Sequence, residues 1–440
     1  MRTTQIFYAS SLYGAATLAA AIDSGCFATA DRRLLLVANN ATTPETSPSL
    51  DTMPGFERLR DRFDGVLSWN EAIAPFHPGG WAPRPDDGPM WERYLRMLWD
   101  LGDDRIELAV ESVQVNPALA IAQLFPDAAL DVYADGLMSY GPTRNKIDPL
   151  VGERVRRLLH LDLVPGLEPL LLAEFGAGPQ VVPTEAFVKV VAELSDAVTD
   201  LPPAGEGAAL LLGQYLAALG IITFEEEEAL HVRMVRGAVA LGHRRIVFKP
   251  HPTAPASWTR ALEREAAALD AELTVLDRPL IAEVLYRRLR PALVAGCFST
   301  ALFTASAFYG IPVARIGTEP LLDRLTPYQN SNRIPLTIVD SLLPDLAEGG
   351  TGLPRTADEM LTGLVSAVGF AMQPQIRPDL RGAAESYLAG HLSSRTRRYF
   401  KRRRLTALGL PGGIPVPRNA AVRRVARRVR RLKRVALGEA

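Results

Sequence analysis

Three stretches of the second half decide the fold: AALLLGQYL at residues 208–216, RRIVFKPHP at 244–252 and PALVAGCFSTAL at 291–302. Each is a short apolar run that ends in polar residues, and a helical pattern follows each run. Strands that alternate with helices in this way predict a mostly parallel sheet with helices on both faces. The second half is therefore expected to be a doubly wound, Rossmann-like domain.

The first half repeats the same alternation. Its apolar strands include QIFYAS at 5–10, RRLLLVAN at 32–39, IELAVES at 106–112 and LDVYADG at 130–136. A chain of 440 residues is long enough for two such domains with separate cores. A Pro- and Gly-rich connection at 202–207 marks the boundary between them. We expect a first α/β domain at 1–200, a second at 207–394 and a separate basic region at 395–440.

Cysteine usage and apolar runs indicate the compartment. The two cysteines, Cys26 and Cys297, provide neither a disulfide framework nor a paired-cysteine metal site. The first residues enter a strand pattern without an apolar secretory core, and no run reaches the roughly 18 residues that a membrane span needs. We expect a cytoplasmic protein, and the sequence suggests no metal ligands.

Charge is distributed very unevenly along the chain. Residues 395–434 contain 16 Lys and Arg and no acid, while residues 1–394 carry about −15. Within this region an apolar stripe with helical spacing is formed by Val422, Val425, Val429, Leu432 and Ala436. A basic amphipathic helix is typical of a segment that binds an anionic membrane surface, which would make the protein peripheral at the inner face of the cell membrane. The alternatives are a coiled-coil partner helix, a solubilising tail or a nucleic-acid arm. Of these, the nucleic-acid arm is the least favoured.

Polar residues follow the strands of the second half where ligands bind in such folds. Ligands of open α/β sheets lie at the carboxyl ends of the strands. Gln214 follows the first strand, Lys249 and His251 end the second, and Ser299 and Thr300 precede a helix. A helix N-terminus preceded by hydroxyl groups is suited to bind phosphate. The simpler interpretations are that Ser299 and Thr300 cap the helix and that His251 bonds to backbone in a turn.

The motifs of these strand ends resemble those of a known family. FKPHP at 248–252 is similar to the His-Pro motif, and CFSTAL at 297–302 to the Ser-Ser/Thr motif, of bacterial α-2,8-polysialyltransferases and related sialyltransferases. The stretch at 212–231 also resembles the start of their nucleotide-binding domain. The resemblance implies two facing Rossmann-like domains of the GT-B type and CMP-sialic acid as the donor. It also implies inversion at the anomeric carbon, no metal and no further cofactor.

The resemblance assigns roles to individual residues. The donor-binding residues would be Gln214, Lys249, Pro252, Ser299 and Thr300. His251 would act as an acid or a phosphate ligand.

The third family motif, two acids followed by glycine, supplies the general base. Its best match is Tyr133-Ala134-Asp135-Gly136, in which Asp135 matches the second acid and Ala134 departs from the first. Asp135-Gly136 could also be a simple turn after the strand.

Two other functions are compatible with the same motifs. One is transfer from another cytidine nucleotide, either CMP-Kdo or CDP-glycerol, during surface polymer synthesis. The other is a non-catalytic nucleotide-binding protein at the membrane, which the alanine at 134 would permit. In the favoured interpretation the partners are a nucleotide-sugar donor and a glycan or glycolipid acceptor.

Overall fold

The structure is a computed structural model and describes residues 2–134, 136–201, 207–251 and 256–414. Asp135, Pro252 and residues 415–440, for which the sequence makes predictions, lie outside these ranges. The described residues form two α/β domains.

The first domain is built around a seven-stranded parallel sheet. Its strands, β1 to β7 in chain order, are Thr3–Ala9, Arg32–Val37, Gly65–Ser68, Arg105–Glu111, Ala129–Tyr133, Val155–Leu161 and Gly178–Val182. Its helices, α1 to α6, are Leu12–Asp23, Trp69–Ala72, Gly88–Leu98, Ala118–Leu124, Pro149–Gly152 and Thr184–Asp196. The strand order is β3-β2-β1-β4-β5-β6-β7.

Helices cover both faces of this sheet, as the alternation predicts. On one face α1 packs against α6, and the many alanines of α1 let this helix lie close to the strands. The side chain of Ser11 caps α1 by accepting a hydrogen bond from the backbone N–H of Gly14. On the other face a second apolar cluster gathers around Trp69, Leu95 and Trp99.

The second domain has a five-stranded parallel sheet. Its strands, β8 to β12, are Ala209–Leu212, Arg245–Lys249, Glu272–Val275, Leu293–Gly296 and Val313–Arg315. Its helices, α7 to α15, are Phe224–Ala240, Ala256–Ala268, Ala282–Leu289, Thr300–Tyr309, Thr318–Arg324, Arg333–Leu342, Glu359–Met372, Arg381–His391 and Arg402–Leu408. The strand order is β10-β9-β8-β11-β12.

The acidic run at the start of α7 is structural. Thr223 and Glu226 form a capping box, as their spacing predicts. Glu227 is completely buried, and its carboxylate accepts hydrogen bonds from the backbone N–H groups of Leu216 at 2.9 Å and Ala217 at 2.7 Å. The run therefore holds the loop that follows β8 in place.

A segment of the second domain returns to the first. The backbone N–H of Ala357 donates to the carbonyl of Pro165 at 3.1 Å, and the Arg377 guanidinium donates to the carbonyl of Leu170 at 3.1 Å. The Gln373 amide also donates to the carbonyl of Arg144. The sequence places this segment in the second domain alone and does not predict its contacts with the first domain.

The folded body continues beyond the predicted boundary at 394. Tyr399, Phe400 and Leu405 are buried although they lie in a strongly basic stretch. The Tyr399 hydroxyl donates to Asp340 at 2.8 Å, and Lys401 lies 3.1 Å from Asp323. Residues 395–414 are therefore part of the second domain. Apolar side chains of this stretch are buried in its core, and acids on α11 and α12 pair with its basic side chains.

The structure leaves the more distal half of the basic region untested. The apolar stripe from Val422 to Ala436 lies outside the described residues and stays a prediction. In the part of the chain that the structure describes, no helix is both long and apolar enough to cross a bilayer.

Candidate active site

The carboxyl edges of the two sheets meet at a cleft. In the second domain the strand order reverses between β8 and β11, which are neighbours although β9 and β10 lie between them in the chain. Ligands of doubly wound folds bind at such a switch point. A cavity of about 280 Å³ lies there, lined by Lys249, His251, Ser299 and Thr300. The strand ends singled out from the sequence are thus brought together.

Gln214 has a different position from the one predicted. Its side-chain oxygen accepts a hydrogen bond from the backbone N–H of Phe298 at 2.8 Å. The amide therefore bridges the loops after β8 and β11 and does not belong to the residues that line the cavity. Gln214 fixes the loop that carries Ser299.

Ser299 and Thr300 have structural contacts in addition to lining the cavity. Ser299 is the N-cap of α10, and its hydroxyl accepts from the backbone N–H of Ala301 at 3.2 Å. The hydroxyl of Thr300 accepts from the backbone N–H of Leu137 in the first domain at 3.3 Å. The capping interpretation therefore applies to Ser299, while the start of α10 still faces a cavity, where its positive dipole end favours an anion.

His251 is half-buried and stacks against an aromatic ring. Its imidazole lies 4.1 Å from the ring of Tyr215, measured between centroids, with 30° between the planes. Burial, and then the charge of Lys249, lower the pKa of His251 to about 4. The imidazole is therefore neutral at physiological pH and offers an N–H hydrogen-bond donor rather than a proton.

Lys249 lies beside two acids. Burial lowers its pKa, while the charges of Glu283 and Asp277 act in the opposite direction. Glu283 belongs to the cavity wall, is almost completely buried and accepts a hydrogen bond from the Thr304 hydroxyl at 2.7 Å. Burial raises the pKa of Glu283. A cationic and an acidic group thus share the inner wall of the cavity.

Sequence reasoning missed Glu283, although the sequence contains a signal for it. In the helix AEVLYRRL this acid falls among the buried positions, next to Val284 and Leu285. An acid on the apolar face of a helix is unusual and indicates a specific partner. Tyr286, from the same face, donates its hydroxyl to the carbonyl of Ala301 at 2.7 Å, so α9 supports the start of α10.

The first domain contributes to the same cavity. Tyr13, at the start of α1, belongs to its lining. The loop after β5 reaches the second domain, since a Cβ on Gly136 would lie 2.4 Å from the Thr300 hydroxyl oxygen. Gly136 also has φ +113, so this position requires glycine for two reasons. Asp135 itself is not described, but Gly136, which follows it in the chain, contacts Thr300 at the start of α10.

Ala134, where the family motif has an acid, is buried in the core of the first domain. Its backbone N–H donates to the carbonyl of Leu159 at 2.8 Å. Among the described residues no group of three His, Cys, Asp or Glu side chains is placed to hold a metal ion.

Two Rossmann-like α/β domains with a cavity at the switch point of the second define a fold of the GT-B type. The family model of alpha-2,8-polysialyltransferases (POLYST) matches residues 5–318, more than half of the chain. The chain therefore belongs to the alpha-2,8-polysialyltransferase family and is a sialyltransferase-type glycosyltransferase, as its motifs predict.

Solved structures with a similar arrangement are distant in sequence. The GT-B domain of a sialyltransferase from Photobacterium damselae has 13% identity and a TM-score of 0.40, covering 76% of this chain and 95% of that one. Acinetobacter baumannii MurG has 12% identity and a TM-score of 0.39, with 90% and 97% covered. A UDP-GlcNAc 2-epimerase from Methanocaldococcus jannaschii has 13% identity and a TM-score of 0.39, with 72% and 83% covered. A sequence comparison with curated proteins finds no match.

Proposed function

We propose that the protein transfers sialic acid, or a related 2-keto sugar acid, from CMP to a hydroxyl of a glycan or glycolipid acceptor, with inversion and without a metal ion. The observation that supports this most directly is the meeting of Lys249, His251, Ser299 and Thr300 in one cavity at the switch point of the second domain. Cationic and hydrogen-bond-donating groups at a helix N-terminus suit the phosphate of a nucleotide.

The donor phosphate would lie at the start of α10. There the Ser299 and Thr300 hydroxyls and the charge of Lys249 stabilise the negative charge that the leaving CMP gains in the transition state. His251 donates its N–H to the same phosphate. A bound phosphate would raise the pKa of His251, because its negative charge opposes the effects of burial and of the Lys249 charge, which lower this pKa.

The acceptor would react from the side of the first domain. Asp135 takes the proton of the acceptor hydroxyl, and the oxygen attacks the anomeric carbon of the sugar. The bond from that carbon to the phosphate oxygen breaks, and CMP leaves with the electron pair. The contact of Gly136 and Leu137 with Thr300 supports this assignment, because these two residues directly follow Asp135 in the chain.

Replacement of His251 tests the donor site. With CMP-sialic acid as donor and EDTA present, His251→Ala should lower turnover by about 10²- to 10⁴-fold. His243, which is half-buried and bonds to the carbonyl of Gly207 away from the cavity, gives the matched control His243→Ala. Wild-type turnover of His251→Ala would refute the role proposed for His251.

A donor screen separates the remaining candidates. Product detection by mass spectrometry with CMP-sialic acid, CMP-Kdo and CDP-glycerol identifies the nucleotide that the cavity accepts. Tight binding of CMP with no product from any of these donors would favour a non-catalytic binding protein, the possibility that Ala134 leaves open.

Residues 418–434, which contain nine Arg and Lys, would place the enzyme at an anionic membrane surface, at the inner face of the cell membrane. A glycolipid acceptor would be available there.

A further inference from the structure

The first domain has a switch point of its own, and a carboxylate occupies it. The strand order reverses between β1 and β4, which pair in parallel although β2 and β3 lie between them in the chain. Glu111 is the last residue of β4 and Ser10 is the first residue after β1. The rule that ligands bind at the switch point places this pair where the first domain should bind its own ligand.

Ser10 and Glu111 are held together closely. The Ser10 hydroxyl donates to Glu111 Oε2 at 2.5 Å, and the Ser10 backbone N–H donates to the same oxygen at 3.3 Å. In the second domain Gln214 and Phe298 bridge the corresponding two strands. Both residues of the first-domain pair are partly exposed, so a ligand can reach them.

The pair lies next to both parts of the proposed reaction centre. Ser10 precedes by three residues Tyr13, which lines the donor cavity. Glu111 is in register with Tyr133 on the neighbouring strand, and Asp135 follows Tyr133 by two residues in the chain. Glu111 therefore lies at the same edge of the sheet as Tyr13 of the donor cavity and the loop of the proposed base.

The backbone directly after Glu111 adopts an unusual conformation. Ser112 has φ +53 and Val113 has φ +25, and a positive φ is costly for a β-branched residue. Val113 is fully buried and its N–H donates to the carbonyl of Glu111 at 2.7 Å. Strained backbone of this kind persists only where the surrounding structure holds it in place, and it clusters at active sites and ligand-binding sites.

We propose that Glu111 binds the acceptor, accepting a hydrogen bond from a hydroxyl of the acceptor sugar beside the one that reacts. Ser10 holds the carboxylate in place. Glu111 orients the sugar ring while Asp135 removes the proton. The acceptor side therefore contains two acids, although Ala134 replaces the first acid of the family motif. This inference rests on the proposed transferase function and extends it to the acceptor.

The test replaces Glu111 by glutamine, which keeps the shape of the side chain and removes its charge. Glu111→Gln should lower kcat/KM for a sialic acid trimer as acceptor by about 10- to 100-fold, the effect of losing a hydrogen bond to a charged group. The KM for CMP-sialic acid and its slow hydrolysis without acceptor should change by less than about twofold, because no donor contact is lost. Glu107→Gln is the control: Glu107 lies four residues earlier on the same strand and accepts from Gln5 at 3.0 Å.

Three results would overturn the inference. They are an unchanged acceptor kcat/KM in Glu111→Gln, the same loss in Glu107→Gln, and a parallel loss of donor hydrolysis. The last two would mean that the carboxylate supports only the fold of the β1–α1 loop.

A binding measurement separates this inference from the proposed function. Saturation-transfer NMR with the sialic acid trimer and with lactose needs no turnover. If the wild-type chain binds either glycan and Glu111→Gln does not, the inference holds even where CMP-sialic acid is not the donor. Equal binding by both proteins, or no glycan bound by the wild type, refutes it.

Discussion

The basic stretch at 395–414 should behave as part of the core of the second domain, and Phe400→Ala tests this. Phe400 is 5% exposed and belongs to the main apolar cluster. Truncation of a buried phenylalanine to alanine costs about 3–5 kcal/mol of unfolding free energy. For a domain of this size such a loss lowers the unfolding temperature by roughly 6–20 °C.

Ile414→Ala is a control from the same segment. Ile414 is 53% exposed, so its truncation should change the unfolding free energy by no more than about 0.5 kcal/mol. Tyr399→Phe should fall between the two, at about 1–3 kcal/mol, since it leaves the buried Asp340 without one of its hydrogen-bond donors.

The assay is thermal and urea unfolding of the full chain, followed by circular dichroism. Two shortened chains complete the series, one ending at Leu392 and one at Ile414. We expect the chain that ends at Ile414 to unfold like the full chain and the one that ends at Leu392 to be strongly destabilised. If Phe400→Ala and Ile414→Ala unfold at the same midpoint, 395–414 is a solvated tail and the packing argument is wrong.

Three further predictions concern the base, a buried histidine and the distal basic residues. Asp135→Asn should abolish transfer while leaving the affinity for CMP nearly unchanged in calorimetry, because a base in the first domain contacts only the acceptor. A large loss of CMP affinity would instead make Asp135 a structural or donor-side residue. Burial lowers the pKa of His231 from 6.5 to about 4. As the pH falls, the unfolded chain therefore takes up a proton at this histidine before the folded chain does. The free energy of unfolding should decrease by up to about 3 kcal/mol between about pH 6.5 and 4. Urea unfolding across this range should show a weaker pH dependence in His231→Phe than in His243→Gln, and equal slopes would contradict the assignment. Full-length protein should co-sediment with vesicles that contain anionic lipid, and less so in high salt, while the chain that ends at Ile414 stays in the supernatant; retention on DNA instead of lipid would assign residues 415–440 to nucleic acid.

The sequence predicts the strands and the polar residues at their ends well because both depend on local patterns. Apolar runs followed by polar residues place Lys249, His251 and Ser299 at strand ends, and the parallel sheet then brings these ends to one edge. Periodicity and capping signals are contained in short stretches, as the capping box at Thr223 illustrates.

What the sequence could not predict depends on which distant segments become neighbours. The bridge from Gln214 to Phe298 joins residues 84 positions apart and follows from the strand order alone. The same is true of Tyr13, a first-domain residue in a second-domain cavity. The basic stretch at 395–404 resembles a solvated tail because its partners, such as Asp323 and Asp340, lie more than 50 residues earlier in the chain.

The return of residues 357–377 to the first domain changes how the two halves depend on each other. The peptide connection between α6 and β8 is not their only attachment, because Ala357 and Arg377 bond to the carbonyls of Pro165 and Leu170. A protease that cuts this connection would therefore leave two fragments associated by non-covalent contacts. For the same reason, any movement of one domain relative to the other would have to break or bend the contacts of residues 357–377 with the first domain.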